Sequence, residues 1–156
     1  MDSHEVLAYC RSEQKQLLRC LRRAVEIESP THFQPGIDQL AAFFAREFRR
    51  AKGRVRLLSH PKSGLAVWAE FWGDLRGRKP ILLLGHLDTV WDVGTLSRMP
   101  FRIRGGRAYG PGILDMKSGI VCGLWAIRTL GALGLVPGSP VRFFLDPDEE
   151  VSSTAF

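Results

Sequence analysis

The chain has 156 residues, enough for one domain, and its 45% hydrophobic and 24% charged residues are those of a globular protein rather than a disordered one. No run approaches the ~20 consecutive apolar residues that a membrane span requires, which argues against a membrane partner. The formal charge is +6, yet the arginines fall on two predicted helices at spacings expected of solvated faces and do not alternate with aromatics, which argues against nucleic acid.

The N-terminal MDSHEVLAYC lacks the basic start and apolar run of a secretory signal. From about Glu5 to Glu28, apolar residues recur at helical spacing (Val6, Leu7, Leu17, Leu18, Leu21, Val25), and SPTH at 29–32 breaks the run. A second amphipathic helix follows Pro35 through Ile37, Leu40, Ala41, Phe44 and Phe48, with Gly53 where a C-cap is expected. The period then changes to two or to continuous apolar runs at 54–59, 65–71 and 81–86, which predict strands, with GDLRGRKP at 73–80 as a turn. FRIRGGRAYG at 101–110 predicts a short hairpin around Gly105-Gly106. From Met116 to about Gly134 a helix is apolar almost all round, and VRFFLD at 141–146 is another buried strand. Helices alternating with such strands predict an α/β architecture, a mostly parallel central sheet flanked by helices. Cys10, Cys20 and Cys122 form no Cys-x-x-Cys pair, and their odd number fits a reduced, cytoplasmic setting better than a disulfide framework.

In open α/β sheets, ligands collect outside the carboxyl ends of the strands. The first polar cluster at such an end is His86-Leu87-Asp88, after Ile81–Gly85. Residues two apart in extended chain share a side, so His86 and Asp88 can face one cleft while Leu87 turns inward. A neutral imidazole there is a good metal ligand, its tautomer fixed by the carboxylate; a His–Asp hydrogen bond that merely closes the strand is the alternative. The second is Asp115, at the start of the apolar helix, where an N-cap role competes with a ligand role. Gly110 and Gly112 suggest a dinucleotide fingerprint, but Asp115 stands where its last glycine belongs and would repel a pyrophosphate. The third is Asp146, Asp148, Glu149 and Glu150 in LDPDEEVSS. Acids opening a helix at SSTAF are one reading; four carboxylates in five residues repel each other without a cation, which favours a metal. Of two adjacent glutamates, one can bind metal while the other takes a proton from water.

Together LLLGHLDTVW, RAYGPGILDMKSGI and DPDEEVSS resemble, in order and spacing, the co-catalytic zinc peptidases that include glutamate carboxypeptidases, aminoacylases, acetylornithine deacetylase and succinyl-diaminopimelate desuccinylase. Gly-Pro-Gly ahead of Asp115 leans toward the glutamate carboxypeptidase branch. The resemblance implies an enzyme, a metallocarboxypeptidase or amidohydrolase that cleaves an amide next to a free carboxylate in a small molecule or short peptide. It implies that His86 binds one zinc, that Asp115 bridges two, and that Glu150 binds the other. Asp88 would orient His86, and Glu149 would be the general base that activates water. Cobalt or manganese are possible substitutes for zinc, and the complete enzyme is expected to be a homodimer.

Departures from the family pattern are Asp146-Pro147 before the acidic run, Ser118 after Asp115, and Ser152 where Gly is common. A catalytic zinc usually takes three protein ligands, and the bridge with His86 or with Glu150 gives each metal two. Residues 1–156 are therefore expected to be an incomplete catalytic domain, inactive alone, with the dimerisation or lid domain and the C-terminal part of the catalytic domain absent. A non-catalytic binding domain on the same scaffold, or an N-acyl amino-acid deacylase, are the alternatives. The strand at 141–145 is expected to lie uncovered at a sheet edge, and His4, His32 and His60 to be structural or solvated.

Overall fold

The computed structural model describes residues 3–75 and 77–151. Helix α1 (Ser3–Val25) buries Cys20, Leu21, Ala24 and Val25 near its C-terminal end. Helix α2 (Gln34–Arg50) carries Pro35 in its first turn, where a missing N–H costs no helical bond, and buries the predicted stripe from Ile37 to Phe48. Gly53 is not its cap. The helix ends at Ala51, Lys52 takes a positive φ of 65°, and the Gly53 N–H closes onto the Phe48 carbonyl at 2.9 Å.

Strands β1 (Arg54–His60), β2 (Gly64–Phe71) and β3 (Ile81–His86) follow, then the single turn α3 (Thr95–Arg98). The hairpin β4 (Arg102–Arg104) and β5 (Arg107–Tyr109) turns on Gly105 and Gly106, whose φ values of 58° and 72° are the pair that a two-residue turn of this twist demands. Helix α4 (Ser118–Ala132) and strand β6 (Val141–Asp146) come next. Helix α4 is not buried all round: Gly119, Cys122 and Ala126 form an exposed small-residue face, while Ile120, Val121, Leu124 and Trp125 enter the core.

The main sheet has the order β1-β2-β6-β3. It is mixed rather than mostly parallel. Among the described residues only β3 and β6 are paired as parallel strands, because the short turn after β1 returns β2 antiparallel beside it, and β2 then pairs antiparallel with β6. The same arrangement corrects the expected position of 141–145. Strand β6 is covered on both edges; the edge strands are β1 and β3, and on β3 Ile81, Leu82 and Leu84 are half or more exposed. Among the described residues, α1, α2 and α4 pack into one core with Val67, Ala69, Phe71, Phe143 and Leu145 from a single face of the sheet. Phe48 is central to it, with ring centroids 4.9 Å from Phe143 and 5.9 Å from Phe71.

In the parallel pair β3–β6, His86 lies opposite Asp146, so both strands deliver their polar ends to one edge of the sheet.

Candidate metal centre

At that edge Leu87 is fully buried and its flanking polar residues face a common side, as alternation predicts. Asp88, 0% exposed, is the hub. Its Oδ2 accepts the Thr31 hydroxyl at 2.7 Å and the Glu150 N–H at 3.1 Å; its Oδ1 accepts the Glu149 N–H at 3.2 Å and faces His86 Nδ1 at 3.2 Å. One carboxylate thus fixes the imidazole and the backbone of both glutamates. Thr31 is a site residue that the pattern of helix and break did not reveal. The signal available was two hydroxyl residues around Pro30, and both are used: the Ser29 hydroxyl donates to the Leu87 carbonyl at 2.8 Å.

His86, 5% exposed, turns Nδ1 to the Asp88 carboxylate and main-chain carbonyl and Nε2 to Asp115 Oδ1 at 3.0 Å. Burial alone would lower its pKa; the hydrogen bonds and charges of Asp88 and Asp115 prevail and push it up to about 9. Asp115 is not a helix cap. Its backbone is non-helical within the irregular turn Ile113–Lys117, it makes no capping bond, and its 73% exposed side chain reaches for His86 instead. Gly112 starts this turn at φ 66°, where a Cβ would sit 2.6 Å from the Thr89 methyl. Beneath it Lys117, 2% exposed, donates to the Ile27 carbonyl at 2.7 Å, and burial lowers its pKa to about 7 against the pull of Glu28.

Glu149 and Glu150 open a short turn, Glu149–Val151. One ligand atom each from His86, Asp115 and Glu150 lie within 4.8 Å of one another. Glu149 Oε2 stands 4.0 Å from His86 Nε2. Burial, opposed by His86 and reinforced by Asp115, Asp88 and Glu149, raises the Glu150 pKa. An imidazole nitrogen and two carboxylates crowded so that one resists ionisation are a donor set that a divalent cation would relieve. All five sequence-predicted residues therefore meet at one place. Asp148 is close by but otherwise engaged: it is buried and accepts the Ser63 hydroxyl at 2.5 Å, which in turn contacts His60 Nδ1 at 3.0 Å. His32 is exposed, 3.9 Å from Asp92, on a cleft of about 430 Å³ shared with Thr31, Ser63 and Glu150. Ser152 and SSTAF lie outside the described residues.

Residues 82–155 match the family model described as Peptidase family M20/M25/M40. The chain resembles the M20 peptidases. It is 33% identical over 143 residues to carboxypeptidase G2 of Pseudomonas sp. (strain RS-16), covering 90% of this chain and 34% of that one. Over 79 residues, 47% of this chain and 20% of the other, it is 35% identical to succinyl-diaminopimelate desuccinylase of Rhodopseudomonas palustris (strain BisA53). Among solved structures, human carnosine dipeptidase 1 shares the fold with a TM-score of 0.86 at 20% identity, over 98% of this chain and 36% of that one. The chain thus spans about a third or less of the length of the two curated relatives it matches. Its matched segment begins in β3 and takes in His86, Asp115, Glu149 and Glu150.

Proposed function

We propose that this chain forms the metal-binding part of a zinc-dependent hydrolase that cleaves an amide bond next to a free carboxylate, with glutamate carboxypeptidase-like substrates as the first choice. The observation that carries the reading is the orientation of His86: Nδ1 is tied to Asp88, leaving Nε2 facing Asp115 and Glu150, where a cation would take the place of its proton. His86 and Asp115 would hold one cation, and Asp115 and Glu150 a second. When bound, such cations polarise a carbonyl and make water more acidic.

The chain's own residues supply the rest. Asp88 keeps the proton on Nδ1 of His86 and, through the Glu149 and Glu150 N–H groups, sets where both glutamates start. Glu149, its side chain 60% exposed, is free to take a proton from the attacking water and return it to the leaving nitrogen. Beside it, Leu84, Met116 and Phe144 line an apolar cleft of about 430 Å³, room for part of a substrate.

With Asp115 counted for both, each cation would draw two ligands from His86, Asp115 and Glu150, where catalytic zinc takes three from protein. The chain alone is therefore expected to bind zinc weakly and to turn over no substrate, further ligands coming from additional protein. A homodimeric whole protein in a reducing cytoplasm belongs to the same proposal; Cys10, Cys20 and Cys122 are free thiols. The test is hydrolysis of N-acyl-glutamates against N-acetyl amino acids by the complete protein, with and without chelator. Glu149→Gln should retain zinc and lose about 10²–10⁴-fold in turnover; undiminished turnover removes Glu149 as the base.

A further inference from the structure

A concavity of about 710 Å³ lies away from the metal centre, between α1, α2 and α4, and shares no lining residue with the clefts around His86, Asp115 and Glu150. Helix α4 begins beside the metal centre at Ser118 and reaches this cleft at Arg128, about 15 Å along its axis. Five arginines line the cleft: Arg19, Arg22 and Arg23 of α1, Arg50 of α2 and Arg128 of α4. Taken helix by helix they belong to solvated faces. The packing of the three helices brings them to one concave site.

Two carboxylates offset part of this charge. Glu26 binds Arg22 at 2.7 Å, and Glu47, 7% exposed, holds Arg50 at 2.5 Å through one oxygen and Arg128 at 2.6 Å through the other. The Arg128 guanidinium also lies 4.5 Å over the Trp125 ring. Arg50 and Arg128 are therefore held in place, and a guanidinium with five N–H donors keeps some for a ligand after meeting one carboxylate oxygen. Arg19 and Arg23, one helical turn apart, have no carboxylate partner among the described residues, and like charges at that spacing repel. The cleft thus combines two fixed donors, a repelling pair and a net charge of +3 from five arginines and two glutamates.

We infer that this cleft binds a small, multiply charged phosphate anion of the diphosphate type. Guanidinium forks match phosphate oxygens bidentately, and an anion of two or three charges would balance the site and relieve the Arg19–Arg23 repulsion. Nucleic acid fits less well. Glu26 and Glu47 stand in the wall against a long polyanion, and the aromatic rings there, Trp125 and Phe43, are 4% and 6% exposed and offer no stacking platform for bases.

The test is calorimetric titration of the metal-free chain with inorganic pyrophosphate at low and at high KCl. Saturable one-to-one binding that weakens with salt is expected. Arg19→Gln with Arg23→Gln should weaken it about tenfold or more, whereas Arg54→Gln with Arg56→Gln, the same loss of charge on β1, should leave it within about twofold. Glu26→Gln should tighten it, a gain that misfolding cannot imitate. Absence of saturable binding, or equal weakening by the two double variants, overturns the inference. So does a mixed-sequence oligonucleotide that displaces pyrophosphate and binds more tightly.

Discussion

Replacing Asp88 with Asn changes one oxygen to NH2 while preserving shape, and the structure says what each orientation would break. If Oδ1 becomes the NH2 group, His86 must offer Nδ1 as an acceptor and carry its proton on Nε2, the nitrogen needed for metal, and the Glu149 N–H loses its acceptor. If Oδ2 becomes NH2, the Thr31 hydroxyl can reverse its role, but the Glu150 N–H then faces a donor. The second orientation is the milder one. It leaves one part-buried N–H facing a donor, a cost at the lower end of the range of about 1–3 kcal/mol for a buried group, and weakens the charge-assisted bonds of the others. A loss of about 2–3 kcal/mol would lower the urea midpoint by about 1–2 M for a chain of this size. Zinc affinity should fall about 10–100-fold, the usual cost of removing the group that orients a ligating histidine. Urea unfolding followed by circular dichroism and zinc titration against a chromophoric chelator measure the two effects. An Asp88→Asn protein with unchanged midpoint and unchanged zinc affinity would refute the role of Asp88 as hub.

Metal affinity should also depend on pH through His86. Its pKa without metal is raised from 6.5 to about 9, so the stability its ion pairs contribute is fully present below 6.5 and lost as pH rises through about 9. A cation must displace that proton, so the affinity for cobalt(II) should rise about tenfold per pH unit from about 7 toward 9; a flat profile would contradict the pairing with Asp88 and Asp115. Of the three thiols, the exposed Cys10 and Cys122 should react with a disulfide reagent near pH 8. Cys20, which burial and then Glu47 push up to about 12, should react only in denaturant. On the edge strand β3, Leu82→Lys should weaken any self-association by about 1 kcal/mol, roughly fivefold, in sedimentation velocity; unchanged association would place the contact elsewhere.

Much of the site was legible because each motif ends a strand or opens a helix, and the parallel register of β3 and β6 converts that local pattern into proximity. His86, Asp115 and Glu149-Glu150 were visible as ionisable groups beside apolar runs. Thr31 and Ser63 were not, since a hydroxyl in a turn is ordinary and its partner lies 57 or 85 residues away. The helices were legible from their period, but the direction of β2 was not. Apolar strands look alike whether their neighbours run parallel or antiparallel, and only the short turn between His60 and Gly64 fixes that choice. The exposed face of α4 was hidden for a related reason: Gly119, Cys122 and Ala126 are apolar in composition yet too small to demand burial. The arginine cleft depends on how three helices pack, which no single helix reveals.

The central claim is that His86, Asp115 and Glu150 form one metal centre, His86 and Asp115 holding one divalent ion and Asp115 and Glu150 a second. Crystals of the chain soaked in zinc and measured on both sides of the zinc absorption edge test it directly. Anomalous density is expected within coordinating distance of His86 Nε2 and Asp115, and of Asp115 and Glu150, with the density beside residue 86 lost in His86→Ala. Density at other sites only, or undiminished density in His86→Ala, would contradict it.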